Sequence, residues 1–336
     1  MKIFNTIRSQ EWWTYKLPPL LAIGYTTCTF SSTPLLEISL HLAIILISLV
    51  VGAIYVSVIN DITDLKEDLA SGKSNRVQNI PPKLRWVMPI GCLLIGLGFE
   101  YIYYPDLLSC FLYLGSWVVF SLYSIKPFRF KNRGILGVFA DASGSHLFPS
   151  LLMISSVSYL TKQEINWWWF LATGVWAICY GFRGILWHQF IDRDNDIKVN
   201  LNTYASNIEP EKFIYKEQVI FAIEIIALVL MFYQLKLSIL YFGIILYFLV
   251  VLARYLLYKS KVVLILTNKK NIFQIAMSDY YQTFLPLSVL IYFSLINYLN
   301  IIVLIAHILL FPYPIKQVLQ DYWRLLKFMR RKKANN

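Results

Sequence analysis

Two stretches of this 336-residue chain carry carboxylates at spacings that a helix face would align. The first is Asn60-Asp61-Ile62-Thr63-Asp64-Leu65-Lys66-Glu67-Asp68, with aspartates at i, i+3 and i+7. The second is His188-Gln189-Phe190-Ile191-Asp192-Arg193-Asp194-Asn195-Asp196, in which Asp192 and Asp196 stand at i, i+4. At 3.6 residues per turn each set reads as a row along one face. Like charges so close repel, so each row calls for cations. Hard oxygen ligands that leave coordination positions open for substrate phosphates suit Mg²⁺. A diphosphate bridged by Mg²⁺ to both rows would be a good leaving group, because the positive charge stabilises what develops on it.

That chemistry needs a scaffold that brings the rows to one place. Hydrophobic residues make up 57 % of the chain, charged residues only 15 %, and the mean hydropathy is +0.55. These values exclude an ordinary soluble domain, in which about 25 % of residues are charged. Apolar runs near 17–31, 35–59, 85–104, 107–124, 135–160, 166–190, 213–234, 237–258 and 281–312 predict membrane helices. Their length, about 20 residues without strict alternation, excludes a β-barrel. The expected fold is therefore an all-α, polytopic transmembrane bundle of nine or ten spans, forming one domain over residues 1–336 with a basic tail at 316–336. Both acidic rows fall at helix ends on the same side.

The net charge of +12 could suggest nucleic acid, but its distribution favours the membrane. Lys2, Arg8 and Lys16 precede the first span. The loops at 66–85, 126–133, 193–216 and 254–270 are rich in Lys and Arg, and the opposite loops hold only Lys162 and Lys236. By the positive-inside rule the N-terminus and the acidic rows face the cytoplasm. The basic tail should join them, which requires an even number of crossings. The run at 281–312, interrupted by Asn297 and Asn300, is then expected to cross twice or re-enter. No signal peptide is expected at the N-terminus. The four cysteines lie singly in apolar stretches and read as small buried side chains.

Ionisable groups at membrane depth are costly and usually line a cavity or pair with one another. Asp141, Ser145 and His146 interrupt the fifth helix, and Arg183 and His188 the sixth. Asp141 and Arg183 read either as an ion pair between helices or as lining for the acceptor end of a cavity. His188, one turn before Asp192, either orients a carboxylate or acts as a base. His41 and His307 read as structural. Trp176, Tyr180 and Trp187 lie on the sixth helix, with Tyr180 and Trp187 sharing a face, and are expected along an apolar substrate channel.

The first row matches the NDxxDxxxD motif of the UbiA superfamily of membrane prenyltransferases, and the second resembles that family's DxxxD motif. Between them Tyr123-Ser-Ile-Lys126-Pro-Phe-Arg129-Phe-Lys131-Asn-Arg133-Gly134 is similar to the family's basic loop after the fourth helix. The resemblance spans roughly residues 10–310. It implies a helical bundle around a central cavity open to the bilayer, and Mg²⁺-dependent transfer of a prenyl group from a polyprenyl diphosphate to a small aromatic or quinoid acceptor. It places the metal sites on Asn60, Asp61, Asp64 and Asp68 and on Asp192 and Asp196, with Asp64, Asp192, His188 and Lys126 closest to the chemistry. Lys73 and Arg76 stand where the family has diphosphate contacts. In the basic loop either Lys126 or Arg129 takes that role, since Lys126 follows Tyr123 by three residues rather than four. Arg76 is followed by Val77 where the family has proline. Two enzymatic alternatives share the scaffold: cyclisation of the prenyl chain onto itself, and phosphoribosyl transfer to a polyprenyl phosphate. The alternative from another class is a transporter, which usually shows internal symmetry and helices broken at mid-membrane. Chain length, acceptor and oligomeric state are not legible.

Overall fold

Long apolar runs with few internal breakers become helices here, and polar caps and prolines set their limits. In a computed structural model, residues 12–267 and 272–334 are described, with side chains through 331; Lys2, Arg8, Lys269 and Lys270 lie outside the described residues. The helices are α1 (Leu17–Cys28), α2 (Leu35–Ala70), α3 (Pro82–Tyr103), α4 (Leu107–Ser124), α5 (Ile135–Leu160) and α6 (Trp167–Lys198). They continue as α7 (Pro210–Leu235), α8 (Ser238–Tyr258), α9 (Tyr280–Ile296), α10 (Tyr298–Leu310) and α11 (Pro312–Ala334). Asp106 caps α4 by accepting from Leu108 N at 3.2 Å, and Asn166 caps α6 by accepting from Trp169 N at 3.1 Å. Pro210 opens α7, where its missing N–H costs nothing.

Length is what carries the acidic rows clear of the apolar layer. α2 has 36 residues and α6 has 32, about 54 and 48 Å at 1.5 Å per residue. A hydrocarbon core is about 30 Å thick, so both helices overhang it by several turns, and the carboxylates sit on those overhangs.

Among the described residues, seven helices are long and apolar enough to cross a membrane, or eight if the bent pair α10–α11 counts as one span. The expected nine or ten is therefore approximate. It includes α1, with 12 residues, and α9, both apolar but short of a full crossing. The run at 281–312 breaks where the sequence suggested. The Asn297 side chain accepts from Leu299 N at 3.0 Å. Asn300 donates to Phe293 O and accepts from Leu36 N, at 3.0 and 3.1 Å. Next, α11 leaves α10 at 86°.

α6 lies at the centre, packed between α5 and α7, while α2 packs on α3 and α4, and α1 on α5 and α9. The close approach of α5 and α6 depends on Gly181, where an added Cβ would stand 2.9 Å from the Ala142 backbone. Within α5 a π-turn at Ser143–Leu147 displaces the helix by a fraction of a turn, a distortion frequent at functional sites. Two strands absent from the sequence reading, β1 (Lys261–Val263) and β2 (Phe273–Ile275), pair in parallel with Lys261 opposite Phe273.

Candidate functional site

A cavity of about 870 Å³ opens between α2, α4, α5 and α6. Its wall on α2 is the stripe Ala53–Val56–Asn60–Asp64–Asp68. On α6 it is Gly181–Gly184–His188–Asp192–Asp196. The polar ends of the two stripes face one mouth. Lys73 on the turn after α2 reaches across it, its Nζ 3.3 Å from Asp192 Oδ2.

The first row is not a single face in the folded chain. Asn60, Asp64 and Asp68 line the cavity, whereas Asp61, 1 % exposed, is turned into the protein beside it. One residue on from Asn60 is about 100° of rotation, which takes Asp61 off the stripe. Asn75 donates to the backbone carbonyl of Asp61 at 2.8 Å and to Asp68 Oδ2 at 2.7 Å. Arg76 Nη1 stands 3.6 Å from Asp61 Oδ2. Ser124 on α4 donates to Asn60 Oδ1.

The basic loop closes over this row. Arg129 is buried and donates to Glu67 Oε1 at 2.6 Å and to Asp64 Oδ1 at 3.3 Å. Lys131, equally buried, is paired with Asp64. Lys126 is exposed at the surface and is not part of the cavity wall. Of the two residues the sequence left open, Arg129 is the one on the carboxylates, and Lys131 joins it. Nothing in the sequence singled out Lys131, because an irregular loop has no period from which to read a facing.

The second row is held by the loop that follows α6. Thr203 Oγ1 donates to Asp196 Oδ2 at 3.1 Å, and Arg193 fixes Ala205 O and Ile208 O at 3.0 and 3.2 Å. This loop is also joined to the basic loop, where Gly134 N donates to Asn202 O at 3.0 Å and Gly134 and Thr203 form a parallel bridge.

At the inner end Tyr55, Tyr113, Trp117 and Phe120 make the wall aromatic. The Tyr55 and Trp117 rings are 4.9 Å apart, and Tyr113 meets Trp117 at 5.9 Å. The π-turn presents Gly144, Ser145 and His146 to the same space, with Asp141 one turn earlier. An added Cβ at Gly144 would meet the Phe120 ring at 2.7 Å.

Four expected lining residues, Trp176, Tyr180, Arg183 and Trp187, lie elsewhere. Tyr180 and Trp187 each precede a cavity residue by one position, about 100° of rotation, and neither is in the wall. Tyr180 is buried one layer behind, with its ring 4.9 Å from His146 and stacked on Trp176. Trp187 packs toward Phe273 on the other side of α6. The Asp141–Arg183 pair does not form. Arg183 points away from the cavity to Glu224 Oε1 at 2.6 Å and Ala276 O at 2.6 Å, pinning the β1–β2 segment to α6. Glu224, a single acid within an otherwise apolar run, was the signal for this partner. His41 meets Ser156 at 2.7 Å and His307 meets Tyr25 at 3.2 Å, and neither lines the cavity.

Fold and site together define a multi-pass integral membrane protein whose central cavity is acidic and basic at its mouth and aromatic within. The model of the UbiA prenyltransferase family matches residues 18–278; the chain belongs to that family. No curated protein matches the chain. A UbiA homolog from Archaeoglobus fulgidus bound to GPP and Mg²⁺ is similar in structure, with TM-score 0.53 and 14 % identity over 95 % of this chain and 99 % of that one. The same values hold for the homolog bound to DMAPP and Mg²⁺. A further structure of a UbiA homolog from that organism shares 18 % identity over 70 % of this chain and 78 % of its own, with TM-score 0.52. At such identities the likeness is one of fold.

Proposed function

We propose that this protein is a Mg²⁺-dependent prenyltransferase that moves a prenyl group from a polyprenyl diphosphate to an aromatic or quinoid acceptor within the membrane. Family membership supports the class, and the homologs solved with GPP or DMAPP and Mg²⁺ support the donor and the ion. The observation that carries the reading is the Lys73–Asp192 contact, which joins the turn after one carboxylate row to the other row across a single cavity mouth.

The donor set fits Mg²⁺. Among the described residues no three His, Cys, Asp or Glu side chains are gathered tightly enough to hold a metal. Mg²⁺ does not need such a cage; it keeps several waters and binds through one or two carboxylates plus substrate phosphates. Asn60, Asp64 and Asp68 would hold it on one side, with Asp61 backing them, and Asp192 and Asp196 on the other. When bound it supplies positive charge to the departing diphosphate. Lys73, Arg76 and Lys131, all on the cavity wall, donate to the diphosphate oxygens, and Arg129 holds Glu67 and Asp64 behind them. The allylic C–O bond breaks and diphosphate leaves. The rings of Tyr55, Tyr113 and Trp117 face the cationic prenyl chain. An acceptor beside Ser145 and His146 forms the new bond to carbon, and His188 takes the proton that the acceptor loses. The excess of Lys and Arg in the loops at this end supports a mouth on the cytoplasmic side.

The aromatic lining also suits a cyclase, in which the substrate's own double bonds capture the cation. Purified protein incubated with Mg²⁺ and farnesyl or geranylgeranyl diphosphate separates the two. Prenylated product only when an aromatic or quinoid acceptor is added supports transfer. A cyclic hydrocarbon or alcohol formed from the diphosphate alone replaces transfer with cyclisation. Absence of diphosphate release across donors and acceptors overturns both.

A further inference from the structure

The last helix lies outside the part of the chain that matches the family, residues 18–278, and the cavity makes no use of it. It leaves α10 at 86°, so the two helices cannot both stand along the bilayer normal, and α11, the charged one of the pair, is the one that suits the surface. That surface is the one on the carboxylate side. From Asp196 the chain turns into α7, runs away to Leu235, and returns along α8 to Tyr258. There Arg254 Nε binds Asp321 at 2.8 Å and Arg324 binds Tyr258 at 2.6 Å.

Three stripes divide α11. Pro314, Val318 and Asp321 are buried toward the bundle. Next to them Leu319, Trp323 and Leu326 are exposed, at 62, 55 and 51 %. Beyond that stripe stand Lys316, Lys327 and Arg331, and Arg330 continues its line, all four exposed, with Lys327 Nζ 4.8 Å from the Trp323 ring centroid. The only acid in the helix, Asp321, is already paired with Arg254, which leaves the outer face uniformly basic. In the crook between α10 and α11 an apolar groove of about 470 Å³ is lined by Ile308, Pro312, Ile315, Leu319 and Trp323, with Lys316 at its edge.

An apolar stripe flanked by cations is the pattern of a helix lying in the headgroup region, and each cation near an anionic leaflet strengthens the attraction. A second copy of the chain would bring the same positive face and be repelled. We propose that α11 and this crook bind anionic phospholipid, with an acyl chain in the groove and its headgroup phosphate against Lys316, and with neighbouring anionic headgroups along Lys327, Arg330 and Arg331 further down the helix.

The test uses full-length protein in detergent with an equimolar mixture of phosphatidylglycerol and phosphatidylcholine of identical acyl chains. The protein is gel-filtered and the retained lipid is extracted and quantified. The wild type is expected to retain phosphatidylglycerol by about tenfold over phosphatidylcholine, and K316Q/K327Q/R330Q/R331Q to fall to near parity. L319Q/W323Q is expected to lower retention of both lipids together. High salt applied to the wild type should release phosphatidylglycerol selectively, a readout independent of how the variants fold. Equal retention of both lipids by the wild type, unchanged preference in the quadruple variant, displacement by millimolar glycerophosphoglycerol alone, or a tail-to-tail dimer in place of bound lipid would each overturn the site.

Discussion

At the scale of single residues, Asp61, Asp64 and Asp192 meet cations while Asp68 and Asp196 meet Asn75 and Thr203, and these distinct partners make the proposed roles separable. Asp64→Asn and Asp192→Asn are each expected to lower kcat by about 10²–10³-fold, the usual loss when a group stabilising developing charge is removed, with the thermal midpoint in detergent unchanged. Wild-type turnover in either variant would remove the diphosphate model. In the basic loop, Lys131→Gln should reduce kcat/KM for the prenyl diphosphate by about ten- to a hundredfold, the worth of one or two charge-assisted hydrogen bonds. Lys126→Gln should leave it within about threefold, because Lys126 is at the surface. The reverse order would restore Lys126 to the site. The rows were legible because helical periodicity converts spacing into facing. Its limit was Asp61, which shares the motif yet sits buried to one side of the stripe. Lys131 was not legible because the loop that carries it has no such period.

At the scale of elements, two contacts decide whether α6 is in position. Gly181 lets α5 approach, since a Cβ there would stand 2.8 Å from Ala142 Cβ, whereas nothing lies within 4 Å of one at Gly184. Gly181→Ala is therefore expected to cost about 1–3 kcal/mol through overpacking. Gly184→Ala should be neutral or stabilising by up to about 1 kcal/mol, as for any helical Gly→Ala change without a clash. Parallel thermal melts in one detergent would show the contrast, and equal shifts would refute it. On the opposite side, Arg183→Met leaves Glu224 buried without its cation. Breaking such a pair from one side costs about 3–5 kcal/mol, so this variant should lose stability measured in the same melts well beyond either glycine variant. The helices themselves could be read from apolar run length. The β1–β2 ribbon could not, because strands of three residues carry no detectable alternation. The Arg183–Glu224 pair was missed because its partners lie 41 residues apart in the chain, and proximity between α6 and α7 is a tertiary fact.

At the scale of the whole molecule, orientation and metal use are the properties to measure. The native cysteines Cys28, Cys92 and Cys179 are buried and Cys110 half-buried, so introduced cysteines should report cleanly. A membrane-impermeant maleimide is expected to label Glu164→Cys in intact cells and Lys198→Cys only after the membrane is breached; the opposite pattern would invert the topology. Chelation by EDTA should abolish turnover and added Mg²⁺ restore it, and full activity in EDTA would sink the metal-bridged leaving group. Charge asymmetry between loops made the orientation legible as an expectation, while the number of crossings stayed approximate because α1 and α9 are apolar but short. The hydrogen bond from Gly134 to Asn202 and the bridge between Gly134 and Thr203 have a mechanical consequence. The strap bearing Arg129 and Lys131 and the strap gripping Asp196 are stitched edge to edge, so they form one shutter over the mouth. For the proposed reaction this means that either strap can move off the mouth alone only by breaking that hydrogen bond and bridge.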